Sequence, residues 1–227
     1  MSSDSRTSRD VNDLRRPPYD AVLCDFDGVL RLHDGAERAR LESAFGLEPG
    51  TMARVALSPE LLGPAVLGKI TCAEWGASIV TALTALPLSA DHARQLGAAF
   101  VNTGFRVDEV VRGLLERAQA KVPVVLVTNA TTRLEDDLDL LGLRYAFDAV
   151  VSSARVGVAK PDRRIYEIAA EHAGVPMDRC LFTDDRLENV EAARKLGMTA
   201  VHFRSPDDLH RALAPLLDGG HGPVSPS

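Results

Sequence analysis

Cysteine is scarce, aromatic residues make up only 5% of the 227 positions, and there is a single tryptophan. Cys24, Cys72 and Cys180 are odd in number, unevenly spaced and without a CxxC pair. That argues against a disulfide framework and against a cysteine zinc site, and it fits a reducing compartment. Positive charge is not in excess either: 26 basic against 32 acidic residues give a net charge of −6. With no basic block and no interleaving of basic and aromatic residues, nucleic acid is not an expected partner. No run approaches the roughly 18 apolar residues that span a membrane. The amino terminus, MSSDSRTSRDVNDLRRPP, lacks the apolar stretch of a signal peptide. No membrane partner is expected, and the chain reads as cytoplasmic. Internal repeats are absent, which sets aside a solenoid.

What is present is the composition of a folded globule, 45% hydrophobic and 26% charged, with enough apolar surface to offset chain entropy. At about 100–200 residues per domain, the length accommodates one core, or one core with a small inserted domain. Residues 1–18 and 218–227 (DGGHGPVSPS) read as solvated tails. Short apolar runs at 21–24 (AVLC), 122–127 (VPVVLV), 149–151 (AVV), 180–182 (CLF) and 199–203 (TAVHF) read as buried strands. Helical spacing fills the gaps between the later runs: Leu134, Leu138 and Leu141; Ile165, Ile168 and Ala169; Leu187, Val190 and Ala193, with Gly197 behind them. Such alternation predicts an α/β fold with a doubly wound parallel sheet.

Residues 33–106 interrupt this pattern with helical signals alone. Ser58-Pro59 offers a helix start, Thr71 to Glu74 a capping box, and Trp75, Ile79, Leu86, then Ala93, Leu96 and Phe100, continue at helical spacing. The expected organisation is an α/β core at 19–32 and 107–217, with a small helical cap inserted at 33–106.

Chemistry concentrates at strand ends. The first run closes in Asp25-Phe26-Asp27-Gly28, the second in Thr128-Asn129; Gly157 to Asp162 (GVAKPD) brings Lys160, and the fourth closes in Thr183-Asp184-Asp185 before a helix containing Asn189. Singly, each has a bland explanation: an acidic turn, a cap, a solvated lysine, an N-cap pair. Together they converge on the carboxyl edge of one parallel sheet, where open α/β folds bind ligands. Four carboxylates gathered there repel unless a cation and the lysine offset them, which implies a hard divalent metal with oxygen ligands, magnesium being the natural candidate.

In their order and spacing, AVLCDFDGVL, VVLVTNA, GVAKPD and LFTDDRLENVEAARKLGM resemble the motifs of the haloacid dehalogenase-like hydrolase superfamily, in the type whose helical cap follows the first strand. The resemblance runs from about Tyr19 to Leu217. It implies a Rossmann-like core and a magnesium-dependent phosphatase acting on a small phosphorylated metabolite. It further implies Asp25 as the nucleophile that becomes an aspartyl-phosphate, and Asp27 as acid and base. Thr128, Asn129 and Lys160 would bind the phosphoryl group. Asp25, the Asp27 carbonyl and Asp185 would hold the metal, with Asp184 and Asn189 orienting the set. Asp184 stands where many members have glycine, Asn189 where an aspartate is common, and Arg163 where proline often follows the lysine motif. Alternatives are a metal-free haloacid dehalogenase, which has no need of Asp27, and a silent phospho-ligand-binding or regulatory module; a phosphonate hydrolase would need Lys69, the one lysine of the cap, which reads instead as a solvated charge at a helix entry. Substrate identity, cap contacts and oligomeric state are left open.

Overall fold

In the computed structural model the described residues are 19–218, so the tails read at 1–18 and 218–227 lie, Asp218 apart, outside them. Strand β1 (Ala21–Cys24) leads through a tight loop to β2 (Arg31–His33). Five helices follow, α1 (Ala36–Ala44), α2 (Thr51–Ala56), α3 (Pro59–Val66), α4 (Cys72–Leu83) and α5 (Ala90–Val101), and β3 (Phe105–Val107) closes the segment. The chain then alternates: α6 (Glu109–Gln119), β4 (Val124–Thr128), α7 (Leu134–Leu140), β5 (Ala149–Ser152), α8 (Ser153–Val156) and α9 (Arg163–Ala173). It ends with β6 (Cys180–Asp184), α10 (Leu187–Lys195), β7 (Thr199–His202) and α11 (Pro206–Leu217).

Five strands form one sheet in the order β5-β4-β1-β6-β7, every pair parallel. The apolar runs of β1, β4 and β6 suit this because a parallel strand between helices is buried on both faces. Side chains alternate across the sheet. Val22, Cys24, Leu126 and Leu181 pack on the face covered by α6, α7 and α11, while Ala21, Leu23, Val125, Val127 and Phe182 pack on the face covered by α9 and α10. The chain winds from β1 toward β4 and β5, then returns to the other side of β1 for β6 and β7. The carboxyl end of β1 therefore lies at the reversal of strand order, where such sheets open a crevice.

The helical segment has an apolar cluster of its own, built on Leu41, Met52, Trp75, Ile79, Leu83, Leu96 and Phe100. Trp75 Nε1 donates to the Ala56 carbonyl at 3.2 Å, and its ring meets Phe100 edge-on at 5.8 Å. The capping box forms as read: Glu74 N donates to Thr71 Oγ1 at 3.2 Å, and Thr71 N to Glu74 Oε2 at 2.7 Å. Ser58 occupies its N-cap position without a side-chain cap hydrogen bond. The reading of 33–106 as helical throughout needs correction at its ends, since β2 and β3 pair antiparallel, His33 opposite Phe105 and Arg31 opposite Val107. Three residues are too short a run to show a period of two; pairing between distant segments makes this ribbon, not local preference. Among the described residues, no helix is long and apolar enough to cross a membrane.

Candidate active site

Asp25 directly follows β1, tied to the sheet by its own N–H donating to the Thr183 carbonyl at 2.9 Å. Lys160 reaches the same point from the loop before α9. Its Nζ lies 2.7 Å from Asp25 Oδ1 and 2.6 Å from Asp184 Oδ2, and it donates to the Val127 carbonyl at 2.8 Å. All three ammonium donors are thus used, on a side chain only 1% exposed. Asn129 fixes the lysine's backbone: its Oδ1 accepts from Lys160 N at 2.8 Å, and its Nδ2 donates to the Lys160 carbonyl at 2.9 Å. The side chain expected to bind substrate is therefore committed to holding the lysine loop.

Asp184 is wholly buried and saturated. Oδ1 accepts from Arg186 N at 2.8 Å and Asn189 Nδ2 at 3.0 Å; Oδ2 meets Lys160 and, again at 3.0 Å, Asn189 Nδ2. Asp185, one residue on, is exposed, with no side-chain hydrogen bond among the described residues. Carboxylate oxygens of Asp25, Asp184 and Asp185 lie within 4.8 Å of one another. The hydroxyl of Thr128, buried at the end of β4, has no partner among the described residues. Buried polar atoms are rarely left without a partner, and Thr183 Oγ1 and Asn189 Oδ1 share this state among the described residues.

Burial and the neighbouring Asp184 push Asp25 up to about 7, with Lys160 pulling the other way. Burial would lower Lys160, yet Asp25 and Asp184 outweigh it and hold the ammonium protonated. Asp185 is raised by burial and by Asp184. Three carboxylates facing one ammonium leave surplus negative charge, and the donor set is hard oxygen throughout, so these residues fit a divalent cation.

Asp27 stands apart from that cluster. Its carboxylate receives Arg31 Nε on Oδ1 at 2.6 Å and Arg31 Nη2 on Oδ2 at 2.8 Å, with His33 Nε2 also 2.7 Å from Oδ1. Burial opposes ionisation, but the hydrogen bonds from His33 and Arg31 prevail and lower Asp27 to about 2. Neither Arg31 nor His33 stands out in the sequence; the available signal was two basic residues alternating on a strand directly after an acidic loop. Gly28 makes that loop possible: its φ is +78°, and a Cβ there would run into the Asp185 carboxylate.

A doubly wound sheet with a buried lysine bridging two strand-end aspartates places the chain among α/β proteins with an acidic crevice where the strand order reverses. The haloacid dehalogenase-like hydrolase pattern matches residues 19–197, and the chain belongs to that family. Among curated relatives, it is 39% identical to a phosphatase of Mycobacterium tuberculosis over 92 residues, 39% of this chain and 42% of the relative. It is 30% identical to an (S)-2-haloacid dehalogenase of Pseudomonas putida over 106 residues, 46% of each. The match spans less than half the length of these relatives. Among solved structures, a family enzyme of Bacteroides thetaiotaomicron, in complex with magnesium and inorganic phosphate, superposes with a TM-score of 0.62 at 21% identity, covering 80% of this chain and 92% of that one.

Proposed function

We propose that this chain is a magnesium-dependent phosphatase that hydrolyses a small phosphorylated metabolite through an aspartyl-phosphate on Asp25. The observation carrying this reading is the grip of Lys160 on Asp25 and Asp184 beside the unpartnered Asp185, with a second carboxylate, Asp27, two residues beyond the first. Asp25 and Asp185, with the Asp27 carbonyl, would hold the cation, while Asp184, its lone pairs already taken, orients the set. Bound there, magnesium supplies positive charge that offsets the carboxylates and the phosphoryl oxygens. Thr128 and the Asn129 amide bind those oxygens, and Lys160 keeps Asp25 aimed and countercharged.

In the first step an Asp25 oxygen bonds to phosphorus as the ester P–O bond breaks, and the leaving oxygen takes a proton from Asp27. In the second, water bonds to phosphorus, its proton passes to Asp27, and the bond from Asp25 to phosphorus breaks. The hydrogen bonds from His33 and Arg31 favour the carboxylate form of Asp27, the form that takes the proton from water in the second step. The helices between β2 and β3 act as a cap that selects the substrate, and the free thiols Cys24, Cys72 and Cys180 suit work in the cytoplasm.

Turnover of p-nitrophenyl phosphate, with and without chelator, tests the reading. Activity should vanish on chelation and return with magnesium. The dehalogenase relatives favour a second reading, metal-free removal of halide from a 2-haloacid. Halide release that persists through exhaustive chelation, without phosphate release, would establish that reading instead.

A further inference from the structure

Arg31 is a buried guanidinium with every face engaged. Nε and Nη2 take the two oxygens of Asp27, Nη1 donates to Asp137 Oδ2 at 2.6 Å, and the group lies 4.5 Å from the Phe26 ring and 5.3 Å from the Phe105 ring. Asp137, itself nearly buried, also accepts from Arg133 Nε at 3.0 Å. Burying an arginine is unfavourable unless its donors are matched, and a planar fork on both oxygens fixes the plane of a carboxylate in a way that one ammonium contact does not. The Asp27 side chain stays 35% exposed. Its Oδ1 meets both Arg31 and His33, whereas Oδ2 meets only Arg31, so one lone pair of Oδ2 is left for proton traffic.

We propose that Arg31, anchored by Asp137, is a positioning residue that fixes the Asp27 carboxylate so that Oδ2 exchanges the proton with the leaving group and with water. This rests on the phosphatase reading above. The proton on Oδ2 moves to the leaving oxygen as the ester bond breaks. A proton of water returns to the same Oδ2 as the water oxygen bonds to phosphorus and Asp25 is released.

The test compares the full-length wild type with Arg31→Met, Arg31→Lys and Asp137→Asn, all with magnesium, by rapid mixing with p-nitrophenyl phosphate and by steady turnover of an alkyl phosphate. Nitrophenolate leaves without a proton, so the first step should survive in the variants while hydrolysis of the phosphoenzyme slows. Arg31→Met should show a burst of about one nitrophenolate per folded site, no slower than wild-type turnover. A steady rate reduced about a hundredfold should follow, as for loss of a positioned base. Alkyl phosphate turnover should fall further, since both steps then need Oδ2. Arg31→Lys should recover part of the loss, and Asp137→Asn should show the same pattern more mildly. A merely structural role gives fewer folded sites working at the normal rate: lower turnover, no burst, and the same factor on both substrates in every variant. That outcome, or unchanged turnover, overturns the proposal alone. A wild type without magnesium-dependent phosphatase activity overturns the phosphatase reading and this inference with it.

Discussion

Gly28 joins backbone conformation to site geometry, since it turns the loop with a positive φ and leaves room for the Asp185 carboxylate. In Gly28→Ala the added methyl meets both penalties, so Asp185 must retreat. Apparent magnesium affinity should fall by about tenfold or more, the scale seen when support around a metal ligand is lost. A magnesium titration of activity measures this, and an unchanged midpoint would remove Asp185 from the metal set. Asp27→Asn separates the two chemical steps: with p-nitrophenyl phosphate the protein should accumulate acid-labile phosphate on Asp25, while steady turnover falls by roughly a hundredfold to ten-thousandfold. Asp25→Asn should show neither burst nor bound phosphate. Near-normal steady turnover in Asp27→Asn would mean that another group is the base. Asp25 and Asp184 could be read from the chain because each lies in a short motif at a strand end, and Lys160 because it lies in the GVAKPD segment. Arg31 could not, since an arginine after a loop is by default a surface charge. What draws it inside is Asp137, 106 residues away, which no local pattern connects to it.

At the scale of elements, the sheet was legible because β1, β4 and β6 are buried on both faces and read as unbroken apolar runs. The ribbon of β2 and β3 was hidden for the opposite reason, its three-residue strands being half exposed and flanked by helical spacing. Caps proved uneven. Thr71 carries a full reciprocal box, so Thr71→Ala should cost about 1 kcal/mol, read as a lowered unfolding midpoint; a midpoint equal to wild type would mean that the box adds nothing. Helix α11 offers a pH test. Asp208, in its first turn, accepts from Arg204 N at 3.1 Å and pairs with Arg204 and Arg211, which together lower it to about 2. A carboxyl lowered on folding stabilises the fold fully above its unfolded value near 4, and that stabilisation is lost as pH falls through about 2. Asp208→Asn should therefore melt earlier than wild type at pH 7, less so at high salt, and the difference should close near pH 2. A difference that persists there would assign the effect to something other than charge.

At the scale of the whole molecule, the three apolar clusters divide unequally. Two are the faces of the sheet, and the third lies entirely within the helices between β2 and β3. In the sequence the same stretch, 33–106, breaks the strand-helix alternation with helical spacing. What joins the two parts is mostly polar and local: Cys72 N donates to Thr132 Oγ1 at 3.0 Å, Arg133 Nη1 to the Val101 carbonyl at 2.8 Å, and Gly68 sits tightly against the Ala154 backbone. The ribbon continues one pair past its assigned strands, with Asp34 N donating to the Gly104 carbonyl at 2.7 Å. Residues 35–103 can thus be replaced by Asn-Gly, a two-residue turn that closes an antiparallel hairpin in register. The trimmed chain keeps Asp25, Lys160, Asp184, Asp185 and the Arg31 clamp, and both faces of its sheet stay covered by their own helices. It should unfold cooperatively and still release nitrophenolate in magnesium. If the excised helices act as the proposed cap, turnover should be slower than in the intact chain, since water is then no longer excluded from the crevice. Selectivity is the sharper readout: over a panel of phosphorylated metabolites, the rates of the trimmed chain should converge, whereas the intact chain ranks them. If the ranking survives excision, selection resides in the core loops, and the helices serve some purpose other than choosing the substrate.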